Sequence, residues 1–357
     1  MSKGKLIIVG GVLALIGLVV IGPKALVYLA GSHQTINTKD QNFYISGSLE
    51  LSELADKLVT EKVIDDVESF VSVGEYKELN SKTIASGKYI IKPGTNYRTL
   101  LNGFTKNANG NGNAEVEVEV TFNNCRDIYQ LASKVSKCID VDSAQLITYL
   151  QSGSTLSKLG FTMEQLPALF IPDSYQMYWD SNEEMFVDRM ASEFKNFWTP
   201  ERKNSLSKIG LDSPSQAVTL ASIVYSEQSK NADEWPIIAG LYLNRVNKGM
   251  KLQSDPTFKF CWGDQLKGVE RLLAIHRDVD CPYNTYKITG LPPGPICLPS
   301  PKVVDAVLNR ANVDYIFMCA KPDYSGRHNF AVTGAEHMRN ADAFQAWLTI
   351  EQRKKKN

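Results

Sequence analysis

The stretch "PSQAVTLASIVYSEQS", Pro214 to Ser229, has helical spacing with one carboxylate in an unexpected place. Ser213 suits the N-cap, Pro214 the first helical position, and Gln216 completes a capping box. At about 100° per residue, Ala217, Leu220, Ala221, Ile223 and Val224 share one face. Glu227 falls in that face, one turn beyond Ile223 and Val224. A carboxyl held there loses water, which disfavours its charged form. A neutral carboxylic acid near pH 7 is the proton donor that a glycosidic oxygen needs. Two plainer readings stay open. Glu227 pairs with a cation such as Arg245, or the helix is rotated so that Glu227 faces a loop.

Downstream of Glu227 lies a dense run of polar and turn residues. "LQSDPT" (Leu252 to Thr257) follows a predicted helix, Pro236 to Asn247, that ends near Gly249. "YNTYKITGLPPGPI" (Tyr283 to Ile296) joins aromatics and amides to a Pro-Gly-rich loop with few accessible conformations. "GRHNF" (Gly326 to Phe330) is a further polar and aromatic cluster. Aromatic faces and amide or hydroxyl groups suit a sugar, and the same residues also suit structured loops with buried hydrogen bonds. Motifs for phosphate, dinucleotide, serine-hydrolase or zinc-protease chemistry are absent. The four histidines, at 33, 276, 328 and 337, are not at metal-ligand spacing, so no metal is expected.

Outside this region the chain reads as a series of modules. Leu6 to Gly22 is continuously apolar, Ala25 to Ala30 extends it, and Lys3 and Lys5 precede it. This predicts an uncleaved membrane anchor with a cytoplasmic N-terminus; a cleaved signal peptide is the alternative. Either places the rest outside the cytoplasm. A polar tether follows, residues 32–42. "SLELSELADKLVTEKVI" (Ser48 to Ile64) has helical spacing in Leu51, Leu54, Leu58 and Val59. "SGKYIIKPGTNYRTLLNGF" (Ser86 to Phe104) gives a strand, a Pro93-Gly94 turn and a helix. These make a small α/β module over 43–110, which takes in part of "KNANGNGNA" (Lys106 to Ala114), a loop or linker. A mixed connecting region, 111–212, opens with the alternating strand "EVEVEVTF" and turns helical, interrupted at "IPDSY" (Ile171 to Tyr175). The groove region is 213–350, and the basic tail 351–357. The fold class is α+β.

Lys and Arg number 39, as do Asp and Glu, so the zero net charge gives no support to nucleic-acid binding. Six cysteines in an oxidising compartment suggest disulfides, with the near-neighbour pairs Cys125–Cys138 and Cys261–Cys281 as first candidates; buried free thiols are the alternative.

Four blocks, "LASIVYSEQS", "IIAGLYLNRVNKGMKLQSDPT", "YNTYKITGLPPGPI" and "HNFAVTGAEH", resemble in order and spacing the MltG/YceG-like endolytic murein transglycosylases. "GKYIIKPGTNYRTLL" resembles the LysM-like module of these proteins, and "IPDSY" their PDTY-type segment. The resemblance implies a membrane-anchored lytic transglycosylase that cleaves the MurNAc–GlcNAc bond of peptidoglycan glycan strands and leaves 1,6-anhydroMurNAc ends. It implies Glu227 as the catalytic acid, with Tyr225 where the family has a second glutamate. Gln253, Ser254, Thr257, Asn284, Thr285, Tyr286 and the loop Gly290, Leu291, Pro292, Pro293 and Gly294 resemble the family's groove lining, with His328 and Phe330 beside them. Asp255 lies in the same block and reads as holding the "QSDPT" turn by an Asx-type hydrogen bond. No cofactor is implied, and cell-wall synthesis enzymes are the implied protein partners. A lysozyme-type hydrolase and an anchored peptidoglycan-binding protein without activity are the rival readings.

Overall fold

The computed structural model describes residues 22–266, 269 and 273–354. The expected membrane span lies outside them but for Gly22, and the basic tail is described only to Lys354. Among the described residues no helix is long and apolar enough to cross a membrane. Helices and small two-stranded sheets give the mixed α+β class. The chain divides into two units. One holds residues up to Val120 with Lys137–Val141 and Tyr175–Asn182; the other holds Thr121–Ser136, Asp142–Ser174 and the chain from Glu183.

The first unit contains α1 (Gly22–Ala30), β1 (Gln41–Ile45), α2 (Leu51–Thr60), α3 (Val67–Tyr76), β2 (Gly87–Ile91) and α4 (Tyr97–Phe104). β1 and β2 are antiparallel, with Phe43 opposite Tyr89. Their period-2 alternation turns Phe43, Ile45, Tyr89 and Ile91 inward. Leu51, Leu54 and Leu58 of α2 meet them at helical spacing, whereas Val59 stays 38% exposed. The Pro93-Gly94 turn forms as read: Gly94 takes φ +70°, and the Asn96 side chain caps α4 by accepting from the Thr99 N–H.

Two expectations change here. The segment read as a tether is bonded along this unit: the Thr35 N–H donates to Thr95 O and the Ile36 N–H to Val63 O. "KNANGNGNA" is no open linker but a turn closed on itself, with Asn107 N–H on Asn111 O at 2.7 Å. Its ends are bonded to neighbouring backbone, Lys106 N–H to Thr83 O and Ala114 N–H to Gly103 O, pairings that composition does not reveal.

The alternating stretch forms β3 (Glu117–Phe122), which pairs with β4 (Asp173–Tyr178), the strand that contains most of "IPDSY". The second unit is mainly helical, with α5 (Ile128–Val135), α6 (Ser143–Gln151), α7 (Gly153–Leu159), α8 (Glu183–Phe197) and α9 (Pro200–Lys208). After these come α10 (Pro214–Glu227), α11 (Trp235–Asn247), α12 (Asp255–Trp262), α13 (Ala274–Arg277) and α14 (Pro301–Leu308). The hairpin β5 (Phe317–Ala320) and β6 (His328–Ala331) and the helix α15 (Gly334–Lys354) complete it.

α10 is the centre of this unit. Ser213 caps it by accepting from the Gln216 N–H, and the Gln216 side chain returns to the Asp212 N–H. The helix was expected to bury one face, yet Val218, Thr219 and Ser222 are buried too. It can be enclosed on most sides because its hydroxyls find partners within the helix: Thr219 donates to Ser215 O and Ser222 to Thr219 O. It packs against α11, α12 and α14, which places its last residue, Glu227, among the segments that follow them.

Candidate active site

Glu227 ends α10, and the chain leaves the helix at Gln228 with φ −137° and ψ 92°. Its Oε1 accepts from the Tyr242 hydroxyl of α11 at 2.7 Å and from the Ser254 hydroxyl. Both donors are buried. Oε2 has no hydrogen bond among the described residues, and the residue lines a cleft of about 220 Å³. Burial pushes the Glu227 carboxyl up; the Ser254 and Tyr242 hydroxyls pull it back, Asp255 raises it, His328 lowers it, and the net direction is up. Two donors on Oε1 mark it as the carbonyl-type oxygen, so a proton on this acid sits on Oε2. Tyr242 remains a donor, because burial and the neighbouring carboxyl hold its own hydroxyl far above its usual value.

Arg245 does not pair with Glu227. It is buried in α11 and donates to three carbonyls, those of Ile316, Lys251 and Leu252, at 2.6, 3.1 and 2.8 Å. It thereby ties the end of α11 to the turn before α12 and to β5. The cationic partner considered for Glu227 is thus committed to backbone.

The "LQSDPT" and "YNTY" blocks are stitched together. The Gln253 and Ser254 N–H groups donate to Thr285 O and Thr285 Oγ1, and the Thr257 and Thr285 hydroxyls lie 2.8 Å apart. Asn284 donates to the Arg277 and Val279 carbonyls and accepts from the Tyr286 N–H. Thr257, Asn284 and Thr285 are fully buried. They hold the cleft's frame and lie beneath its surface, so the groove-lining role read for them gives way to a supporting one. The Cys261–Cys281 disulfide forms as expected and fastens α12 to the same segment. Cys125 keeps a free, buried thiol, so the Cys125–Cys138 pairing is absent.

Asp255 makes no Asx turn. It starts α12 and accepts from the Tyr286 hydroxyl at 2.5 Å, with the Arg277 Nε 3.7 Å away. Its carboxylate is reached by a side chain from the loop opposite, which a local turn motif does not foresee.

Of the residues singled out in the sequence, Glu227, Gln253, Asp255 and His328 line the cleft. Ser254 acts through Glu227, and Tyr286 through Asp255. Gly290, Leu291, Pro292, Pro293 and Gly294 are not in the lining. Leu291 packs on the core, and Gly294 passes so close to Glu164 that a Cβ would sit 1.8 Å from its carbonyl oxygen. Leu291 and Gly294 are therefore held as scaffold, whereas Pro293 is exposed. Phe330 stacks on Tyr315. Tyr225 is outside the cleft lining, with its ring 6.5 Å from that of Trp235.

Sequence reading missed Tyr242, the β5 wall of Met318, Cys319 and Ala320, and Glu234. Tyr242 had a weak signal, a polar tip in the apolar run "IIAGLYL". Glu234 had none, since an acid near a helix start is ordinary. It is 4% exposed; Oε1 accepts from the His328 N–H at 3.0 Å, while Oε2 accepts from Gln228 Nε2 and faces His328 Nδ1, both at 2.9 Å.

Among known proteins, the endolytic murein transglycosylase of Bacillus subtilis is 36% identical over 127 residues, 36% of this chain and 34% of that protein. The endolytic murein transglycosylase of Streptococcus pneumoniae D39 is 29% identical over 178 residues, 49% and 32% of the two chains. The matched part thus spans about a third of the length of these curated relatives. A crystal structure of a yceG-like protein from Listeria monocytogenes shares the fold, with a TM-score of 0.53 over 85% of this chain and 99% of that one at 22% identity. A model of the YceG-like family matches residues 43–343. The chain belongs to the YceG-like family.

Proposed function

We propose that the chain is a peptidoglycan lytic transglycosylase that cuts the MurNAc–GlcNAc bond within nascent strands and leaves 1,6-anhydroMurNAc ends. The observation that carries this is Glu227, a cleft-lining residue whose burial favours the neutral form and whose Oε2 has no hydrogen bond among the described residues. In such a reaction the acid protonates the leaving glycosidic oxygen. The muramic 6-hydroxyl then replaces water as the nucleophile. Two-carboxylate glycosidases need a second, available carboxylate. Asp255, the other carboxylate lining the cleft, is engaged by Tyr286 and Arg277, which favours the single-acid scheme over the lysozyme-type one. The names of the Bacillus and Streptococcus relatives agree with this reading.

The apolar stretch Leu6–Gly22 supports anchoring in the cytoplasmic membrane with the second unit on the outer side. The Cys261–Cys281 disulfide fits that oxidising side. The strand–helix–helix–strand order of the first unit supports a LysM-like module. An enzyme held there meets strands as synthesis enzymes extend them, which gives it a role in ending their growth.

Digestion of uncrosslinked glycan, followed by mass spectrometry over time, tests the proposal. Internal cleavage gives multi-disaccharide products with anhydro ends. Reducing ends would establish a hydrolase, single anhydro-disaccharides from the first time point would establish cutting from chain ends, and no product would favour a binding protein.

A further inference from the structure

We propose that His328, held by Glu234, is the base of the reaction, so that two groups divide the proton transfers a single-carboxyl scheme assigns to Glu227 alone. The inference rests on the transglycosylase reading above, which supplies the attacking hydroxyl.

Glu234 is the starting point. A carboxylate this deeply enclosed is unstable unless it is paired and hydrogen-bonded. Three donors converge on it, two from His328 and one from Gln228. Burial pushes the Glu234 carboxyl up, and these donors outweigh burial, leaving it below the usual carboxylate range. An anionic carboxylate on Nδ1 orients the ring and selects its tautomer: in the neutral form the proton sits on Nδ1 and the lone pair on Nε2. His328 lines the cleft that Glu227 lines, and its Nε2 has no hydrogen bond among the described residues. Arg327, next in the chain, is turned to Asp233 at 2.6 Å. The other charged groups in the lining are Asp255 and Arg245, each already engaged.

This arrangement meets a need that Glu227 alone does not. Glu227 is protonated when the glycosidic bond begins to break, so it has no acceptor for the hydroxyl proton until its own has gone. A neutral His328 with its proton on Nδ1 offers a lone pair at Nε2 before Glu227 has given up its own proton. The muramic O6–H passes its proton to Nε2 as O6 bonds to C1. The C1–O bond to the leaving sugar breaks, its electron pair stays on that oxygen, and Glu227 protonates it. The step leaves a carboxylate at Glu227 and an imidazolium at His328 with the net charge of the site unchanged. One proton returned through solvent resets both.

A purely structural pair, pinning β6 beside the start of α11, would leave the same hydrogen bonds, so the test separates the two. Full-length wild type, His328→Gln and Glu227→Gln are assayed on glycan strands and on a MurNAc-terminated oligosaccharide bearing p-nitrophenol at the scissile position. That leaving group departs without protonation. His328→Gln is expected to lose about 10²–10⁴-fold in kcat on both substrates with little change in KM. Glu227→Gln is expected to lose activity on glycan and to recover it on the aryl substrate. If His328→Gln does not fold, Glu234→Gln takes its place, with a smaller kcat loss of the same pattern. Activity of the His328 variant within a few-fold of wild type, a change in KM alone, or recovery on the aryl substrate would overturn the assignment. Anhydro ends absent from wild-type product would overturn the transglycosylase reading itself, a separate outcome.

Discussion

Replacing Glu227 by Gln should abolish cleavage and leave the fold almost untouched. The carboxamide keeps an oxygen where Oε1 accepts from Tyr242 and Ser254, so both hydrogen bonds survive, each worth about 1 kcal/mol. Nε2 takes the place of Oε2, which has no hydrogen bond to lose among the described residues. Burial shifts the native carboxyl toward its neutral form, which an uncharged amide of the same shape reproduces. A stability change below about 1 kcal/mol is expected, which for a unit of this size is a Tm shift of roughly 4 °C or less. Glu227→Ala is the contrast. It strands two buried hydroxyls, each about 1–3 kcal/mol when orphaned, and the Tm should fall clearly.

Activity follows a different rule. The amide has no proton to give to a leaving oxygen, and general acid catalysis is worth about 10²–10⁴-fold. The assay is release of glycan fragments by mass spectrometry beside thermal unfolding of the same preparations. The pH dependence has a definite sign. The Glu227 carboxyl sits above its unfolded value, so the neutral acid and its stabilisation are present at low pH and are lost as pH rises through the folded value. Glu227→Gln should remove that alkaline loss of stability. The reasoning fails if Gln destabilises as much as Ala does, which would mean a charge was being held. It also fails if Gln retains activity within a few-fold.

Two further outcomes follow from other parts of the molecule. In the first unit, burial, with nearby Asp180 adding to it, pushes Glu115 up from the usual 4.5 to about 7 against donors from Asn111 and Gly112. Stability of this unit should therefore decline as pH rises from 4.5 to 7, and Glu115→Gln should flatten the decline in urea unfolding midpoints; an unchanged profile would refute it. Cys281→Ser opens a link spanning 20 residues and should lower stability by about 3 kcal/mol in denaturant titration. Peptide mapping after thiol labelling of denatured, non-reduced wild type should find neither Cys261 nor Cys281 modified.

What the sequence made legible was whatever is local. The cap at Ser213, the turn at Pro93-Gly94, the alternation before Phe122 and the helix ending at Asn247 are set by residues within a few positions of each other. Glu227 was legible because it breaks a local pattern. Contacts made across the chain were not. Asp255 had a plausible partner in its own turn, but a tyrosine 31 residues on supplied the hydrogen bond. Thr257, Asn284 and Thr285 have the composition of sugar contacts, yet their donors and acceptors are consumed by one another and by backbone. Polarity alone does not say whether a group faces a ligand or closes a loop. In the "GLPPG" loop, Gly294 answers to the backbone of Glu164, a long-range contact that its turn-like composition does not announce.

The residues that depart from local rules nevertheless converge on one place. Ser254 stands at the N-cap of α12, where its hydroxyl would ordinarily accept from the first turn; that hydroxyl instead donates to Glu227. Gln253 beside it holds φ +54°, a left-handed conformation that side chains other than glycine rarely take. Glu227 ends a helix enclosed on most sides, and Glu234 is an acid with almost no exposure. Each of these is unfavourable alone and would be removed easily by substitution if folding were the sole constraint. All four either line the cleft or hold a side chain that does. The hydrophobic helices and the Cys261–Cys281 link supply the rigidity that keeps such positions occupied, so the same packing that stabilises the second unit also keeps the Glu227 carboxyl and the His328 ring in place before any sugar arrives.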